Sequence, residues 1–159
     1  LRIARDQTVL QPVPLACVRL AEHSSRRRRE SVYMSEHQQQ VLIVDDDQAV
    51  RDALEFALRL QGFNVHAYSG GNELLAGGEL AQAGCVVVDD NMPGMDGLEL
   101  IGRLRERDIP VPAILITSHA TDRLHAKAAV AGVRVVLEKP FLENALAASI
   151  QTLLESANY

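Results

Sequence analysis

Four places in this chain carry residue types whose spacing suits phosphoryl chemistry. An acidic run (Asp45, Asp46, Asp47), a second acid (Asp89), a hydroxyl (Thr117) and an ammonium (Lys139) each stand at, or just past, the end of a short apolar run. Those runs cover residues 41–44, 85–88, 113–116 and 135–137, the last reaching Lys139 through Glu138. Brought together, Asp45, Asp46 and Asp89 would repel one another and raise their own pKa values unless a hard cation sat among them. Mg²⁺ suits that role, because it takes one or two carboxylates, keeps several waters and accepts phosphate oxygens as further ligands. Lys139 is one of only two lysines, and it would neutralise a phosphoryl oxygen as a compact point charge. The Lys139-Pro140 bond is a candidate cis peptide in a tight turn that would aim the amine back at the acids. Thr117, with small neighbours at Ser118 and Ala120, has a hydroxyl that can donate to a phosphoryl oxygen. Singly, each has an ordinary reading: an Asp at a strand end caps a helix, a Thr there is structural, and Lys127 is a solvated helix residue. The ordered set is what argues for a site.

The elements that must position these residues follow from the apolar runs. Strands this short and this apolar are buried on both faces, as in a parallel sheet covered by helices. In such a sheet the ligand crevice lies beyond the carboxyl ends of the strands. After residues 41–44, Asp47 is an N-cap for a helix with Val50, Ala53, Leu54, Ala57 and Leu58 at helical spacing up to Leu60, stopped by Gly62. Residues 63–67 alternate as a strand and 70–79 form a short helix. Residues 85–89 are a strand, 92–97 (Met-Pro-Gly-Met-Asp-Gly) a tight loop, and 98–107 a helix burying Leu98, Ile101 and Leu104. Residues 112–117 are a strand, 121–131 a helix closed by Gly132, and 133–137 the last strand. The last helix, 141–154, turns Leu142, Ala145, Leu146, Ile150 and Leu153 inward. Five strands alternating with five helices are the pattern of an α/β fold with right-handed crossovers.

Composition narrows the function classes. The chain has 159 residues, 47% of them hydrophobic and 23% charged, enough for one domain with a substantial core and without a run near the ~20 apolar residues of a membrane span. Residues 1–33 hold seven of the 16 basic residues but only three of the 21 acids, so the rest of the chain is strongly acidic. Acidic domains have little electrostatic pull on nucleic acid and a natural affinity for divalent cations. Residues 1–33 also contain Pro12, Pro14 and the run from Arg26 to Arg29, and show no sustained periodicity. We read 1–39 as an extension, either disordered or lying upstream of a natural start at Met34, with a basic arm for nucleic acid or a membrane surface as the alternative. Cys17 and Cys85 form neither a disulfide framework nor a zinc spacing, which fits a reducing, cytoplasmic setting, and Cys85 reads as a small core residue.

The ordered set of Asp-Asp, Asp, Thr and Lys-Pro strongly resembles the receiver domain of bacterial response regulators, the output half of two-component signalling. The matching segments are VLIVDDD, CVVVDDNMPGMDGLEL, AILITSHA and VRVVLEKPF, and the LEKPF style is similar to the FixJ-like branch. The resemblance covers the receiver at residues 40–156 and implies a flavodoxin-like (βα)5 doubly wound parallel sheet of strand order 2-1-3-4-5. It implies Asp89, four residues before Pro93, as phosphoacceptor. It implies Asp45 and Asp46 as the acidic pair that positions Mg²⁺, with Asp89 and the backbone carbonyl of Asn91 completing the metal site. Thr117 and Lys139 are implied as the hydroxyl and amine that hold the phosphoryl group. The implied partners are a sensor histidine kinase or a histidine phosphotransfer protein, and an unknown downstream protein.

Three positions depart from the family pattern. Val136 stands where an aromatic residue commonly couples to the threonine, so an aromatic rotation cannot operate here in its usual form. Asp90 replaces a residue that is usually apolar, and either faces solvent or adds charge near the metal. His119 stands where the family tunes attack by water on the acyl phosphate. No helix-turn-helix follows the last helix, so the expected output is protein–protein contact or a phosphate shuttle or sink, not direct DNA binding, with phosphorylation-dependent homodimerisation as a further possibility. Two competing readings are a degenerate receiver that binds without being phosphorylated and a phosphatase of the haloacid dehalogenase type. The latter fits Asp45-Asp46-Asp47 as Asp-x-Asp but needs an acidic pair after the lysine, where Pro140, Phe141, Leu142 and Glu143 stand.

Overall fold

The computed structural model describes residues 39–141 and 143–156. The expectations placed on residues 1–38, on Cys17 and on Leu142 lie outside them. Five strands, β1 (Gln40–Val44), β2 (Asn64–Tyr68), β3 (Ala83–Asp89), β4 (Ala113–Thr117) and β5 (Val133–Glu138), form one sheet of order β2-β1-β3-β4-β5. Every neighbouring pair is parallel. Five helices connect them: α1 (Gln48–Leu60), α2 (Gly71–Ala76), α3 (Gly97–Glu106), α4 (Asp122–Val130) and α5 (Glu143–Ser156), with a 3-10 turn at Glu79–Gln82 before β3. This is the flavodoxin-like, doubly wound architecture that the sequence predicts.

Strand periodicity explains why the sheet is covered twice. Side chains alternate across a strand. Leu42, Val44, Val86, Val88 and Leu115 pack on one face with Leu74 of α2, Leu100, Ile101 and Leu104 of α3, and Ala128 of α4. The alternate residues Val41, Ile43, Cys85, Val87, Ile114 and Ile116 pack on the other with Leu58 of α1 and Leu146, Ala147 and Ile150 of α5. Cys85 is a buried free thiol, pushed up to about 12 by burial.

Local signals set most element ends. Asp47 caps α1, its Oδ1 accepting from Ala49 N–H at 2.8 Å and Val50 N–H at 3.3 Å. Asp96 caps α3 and Thr121 caps α4 in the same way. Gly62 and Gly132 follow α1 and α4 at φ of +89° and +78°, the left-handed conformation that lets a chain leave a helix.

Some packing expectations need correction. Ala53, Ala57 and Leu60 are exposed, and α1 meets the core through Leu58 and half-buried Leu54. Leu98 is half-buried, and Leu100 takes its place in the core. The fourth apolar run is not buried on both faces: β5 is the sheet edge, and all its residues are half-buried or exposed.

Candidate functional site

The sheet order puts the crevice where the chemistry is. β1 is followed by α1 on one face and β3 leads to α3 on the other, so the connections diverge between their carboxyl ends. Such a switch point is where doubly wound sheets leave room for a ligand. Asp45 follows β1, Asp89 ends β3, Thr117 ends β4 and Lys139 follows β5.

The structure brings three of the predicted residues into direct contact. Lys139 Nζ donates to Asp89 Oδ1 at 2.7 Å and lies 3.5 Å from Asp45 Oδ2. The Lys139-Pro140 peptide is cis, as expected, and Lys139 N–H donates to the Thr117 carbonyl at 2.8 Å, fixing the turn against β4. Asp45, Asp89 and Thr117 are the buried polar residues of the described chain. Asp45 Oδ1 accepts from Asp47 N–H at 2.9 Å, and the Arg51 guanidinium donates to the Asp45 carbonyl at 2.7 Å. Asp89 Oδ2 accepts from Asn91 N–H at 2.9 Å, which starts the loop that carries the Asn91 carbonyl.

The electrostatics follow from this crowding. Burial holds the Asp45 carboxyl above the ordinary aspartate range and the Asp89 charge adds to it, against the Asp47 N–H and Lys139. Burial alone would push the Lys139 ammonium down, but its bonds and charge interactions with Asp89 and Asp45 win and hold it above the ordinary lysine value. One lysine therefore answers two carboxylates.

The donor set fits a hard divalent cation. Asp45 Oδ2 is buried and accepts no hydrogen bond, with the Lys139 ammonium at 3.5 Å as its ion-pair partner. Asp46 beside it is exposed and touches none of the other site residues through a hydrogen bond or ion pair. Among the described residues no three acids, cysteines or histidines form a ready-made cage. Mg²⁺ does not need one, since it keeps waters and takes substrate oxygens. Asp47 is occupied as the α1 cap, which leaves the Asp-x-Asp alternative without its second acid.

Thr117 is at the rim but its hydroxyl is turned elsewhere. Its Oγ1 donates toward Asp90 Oδ2 at 3.5 Å, accepts from His119 N–H at 3.2 Å and lies 3.4 Å from the His119 carbonyl. Asp90 is half-buried, and its carboxyl is held above the ordinary range by burial first, then by the Asp96 and Asp89 charges. His119 is exposed and meets Thr117 through its backbone. Arg51, which braces the Asp45 carbonyl, was not singled out, and Asp90 was singled out as a charge near the metal or a solvent-facing acid but not as a partner of Thr117. The signal for Asp90 was its place at a strand exit beside another acid.

The Met-Pro-Gly-Met-Asp-Gly loop acquires a purpose from the same geometry. Asp96 caps α3 by accepting from Glu99 N–H at 2.7 Å. Gly97 opens α3 so close to β3 that a Cβ there would lie 2.5 Å from the Asp89 carbonyl oxygen. Met92 and Met95 are buried beneath the loop. The motif thus seats α3 directly against the strand that carries Asp89.

Comparison with known proteins agrees with this geometry. Residues 41–151 match the family model described as the response regulator receiver domain. The transcriptional regulatory protein FixJ of Bradyrhizobium diazoefficiens is 36% identical over 111 residues, covering 70% of this chain and 54% of that protein. The C4-dicarboxylate transport transcriptional regulatory protein DctD of Pseudomonas aeruginosa is 41% identical over 109 residues, covering 69% of this chain but 24% of that one. The chain therefore spans about half the length of FixJ and about a quarter of DctD. Among solved structures, FixJ-N superposes with a TM-score of 0.68 at 34% identity, covering 73% of this chain and 93% of that one. With the parallel 2-1-3-4-5 sheet and these matches, the chain belongs to the response regulator receiver family of two-component systems, in a FixJ-like form.

Proposed function

We propose that residues 40–156 form a receiver that accepts a phosphoryl group on Asp89, and that 1–39 are an extension to it. The observation that carries this reading is the 2.7 Å contact of Lys139 Nζ with Asp89 Oδ1, beside the buried Asp45 Oδ2 that accepts no hydrogen bond. The donor is a phosphohistidine on a sensor histidine kinase or a histidine phosphotransfer protein, or a small acyl phosphate. An Asp89 oxygen attacks phosphorus, a new O–P bond forms, and the P–N bond (or P–O bond of the acyl phosphate) breaks with its electron pair leaving on the donor. Lys139 stays with the equatorial oxygens of the transferring group, and Thr117 donates to one of them. Such catalysis is mainly positioning and electrostatics. Asp45, Asp46, Asp89 and the Asn91 carbonyl would hold Mg²⁺, which when bound offsets the phosphoryl charge. The protein in this reading catalyses its own phosphorylation and is not a turnover enzyme.

The aspartyl phosphate adds charge and acceptors beside Thr117 and the start of α4, and such a change biases nearby loops. Output runs through contact with a downstream protein on the face of α4, β5 and α5, or the receiver acts as a phosphate shuttle or sink. A phosphorylation-dependent homodimer would use the same face. Among the described residues no helix is long and apolar enough to cross a membrane, and the reading places the receiver in the cytoplasm. FixJ and DctD are named as transcriptional regulators and are longer proteins, so we assign no DNA contact to these residues.

The test is intact mass after incubation with Mg²⁺ and acetyl phosphate, for wild type and Asp89→Asn. One added phosphoryl group, absent from Asp89→Asn and abolished by EDTA, is the expected result. If neither acetyl phosphate nor a phosphorylated histidine kinase domain labels the wild type, the chain is a degenerate receiver and the reading fails.

A further inference from the structure

The hydroxyl that the proposed chemistry needs already faces two other acceptors, Asp90 Oδ2 at 3.5 Å and the His119 carbonyl at 3.4 Å, both long contacts. Thr117 Oγ1 carries one proton, and that proton can serve Asp90 Oδ2, the His119 carbonyl or an incoming phosphoryl oxygen, one at a time. Asp90 cannot simply withdraw from the competition, because its backbone is held on both sides. Its N–H donates to the Ile116 carbonyl at 2.7 Å, extending the β3–β4 pairing by one residue, and its carbonyl accepts from Gly97 N–H at 3.1 Å. A Cβ at position 97 would lie 3.1 Å from Asp90 Cα, so α3 packs directly behind it. Asp90 makes no ion pair with a described residue: Asp89 and Asp96 repel it, Lys127 attracts it only as a more distant charge, and the Thr117 hydroxyl is its one side-chain hydrogen-bond donor.

We propose that Asp90 is a positioning residue that holds Thr117 in the resting orientation and competes with the phosphoryl group on Asp89 for the Thr117 hydroxyl. The proposal rests on the phosphoacceptor reading above. Its kinetic consequence is one-sided. Labelling of Asp89 has to take the hydroxyl from Asp90, so Asp90 slows it. Hydrolysis of the acyl phosphate starts from a state in which Thr117 has already moved, so Asp90 leaves that rate alone. Asp90 and Thr117 should accordingly act as a coupled pair and not as two independent contributors.

The test uses the full chain with Mg²⁺ and acetyl phosphate, following the labelled fraction by intact mass. Variants are Asp90→Ala, Asp90→Val, Thr117→Ala and the Asp90→Ala/Thr117→Ala double variant, each checked by thermal melting. The two Asp90 substitutions should speed labelling about three- to tenfold, the worth of one hydrogen bond, with hydrolysis after donor removal unchanged within about twofold. Asp90→Ala should give no acceleration in the Thr117→Ala background. An unchanged labelling rate overturns the proposal, and so does an equal acceleration without Thr117, which would make Asp90 a repelling charge only. A readout independent of phosphorylation separates this from the parent reading: three-bond NMR couplings to Thr117 Cγ2, without donor, should show a shifted χ1 population in Asp90→Ala. If the wild type takes no phosphoryl group, the parent reading falls while those couplings still decide whether Asp90 holds Thr117.

Discussion

Lys139 Nζ sits 2.7 Å from Asp89 Oδ1 and 3.5 Å from Asp45 Oδ2, so a single ammonium joins the ends of β1, β3 and β5. Replacing it removes the one counter-charge two buried carboxylates share. Lys139→Met should lower the rate of Asp89 labelling by about 10²-fold or more, the usual loss when a fixed group facing developing charge is removed. Met keeps the length of the half-buried Lys139 side chain and removes only its charge, so the fold should survive. Circular dichroism separates loss of chemistry from loss of structure.

Asp45 pays for its position with stability. Its carboxyl titrates above the ordinary aspartate value in the folded protein, through burial first. The folded state then binds more protons than the unfolded chain between the two values, so stability falls as pH rises from the ordinary range through the folded value, and stays lower above it. Asp45→Asn keeps an acceptor for Asp47 N–H and removes the charge. It should melt a few degrees higher than wild type at about pH 7, with the gap closing near pH 3 where both side chains are neutral. Mg²⁺ should raise the melting temperature of wild type and not of Asp45→Asn.

Much of this was legible from the residues, for a physical reason. Strands β1, β3 and β4 are interior to the sheet, so their apolar runs are uninterrupted and their ends stand out as polar residues. The cap at Asp47 and the glycines at 62 and 132 are local signals that need no tertiary information. What escaped depends on neighbours distant in sequence. The partial exposure of β5 is one case: the strand order implied by the resemblance already puts it at the edge, but its apolar composition alone reads as buried. The turn of the Thr117 hydroxyl toward Asp90 depends on how β3 and β4 pair, twenty-seven residues apart in the chain. Whether Asp46 points with Asp45 is likewise a property of the strand exit.

The seat of α3 against β3 makes Gly97 intolerant of a side chain. A Cβ would meet the Asp89 carbonyl at 2.5 Å and Leu115 Cδ1 at 2.8 Å. Gly97→Ala should cost ~1–3 kcal/mol in urea unfolding, as overpacking does, and slow labelling by displacing Asp89. Gly102, in the middle of the same helix, has nothing within 4 Å of a built Cβ. Gly102→Ala should therefore stabilise the protein by roughly 0.5–1 kcal/mol and leave labelling unchanged. Equal effects at the two positions would contradict the close approach.

The three consecutive aspartates divide their labour, and substitution should separate them. Asp47 accepts from Ala49 and Val50 N–H as the α1 cap. Asp47→Ala should cost about 1 kcal/mol of stability while Mg²⁺ affinity, measured by calorimetry, stays close to wild type. Asp46 is exposed and makes no hydrogen bond or ion pair among the described residues. Asp46→Ala should leave stability within about 0.5 kcal/mol, as surface substitutions do, while weakening Mg²⁺ binding at least tenfold through loss of a charged ligand. A haloacid dehalogenase-type site would give the reverse result, because its first and third acids do the chemistry and its second does not. Loss of Mg²⁺ binding in Asp47→Ala, with Asp46→Ala unaffected, would therefore remove the assignment of Asp45 and Asp46 as the metal pair.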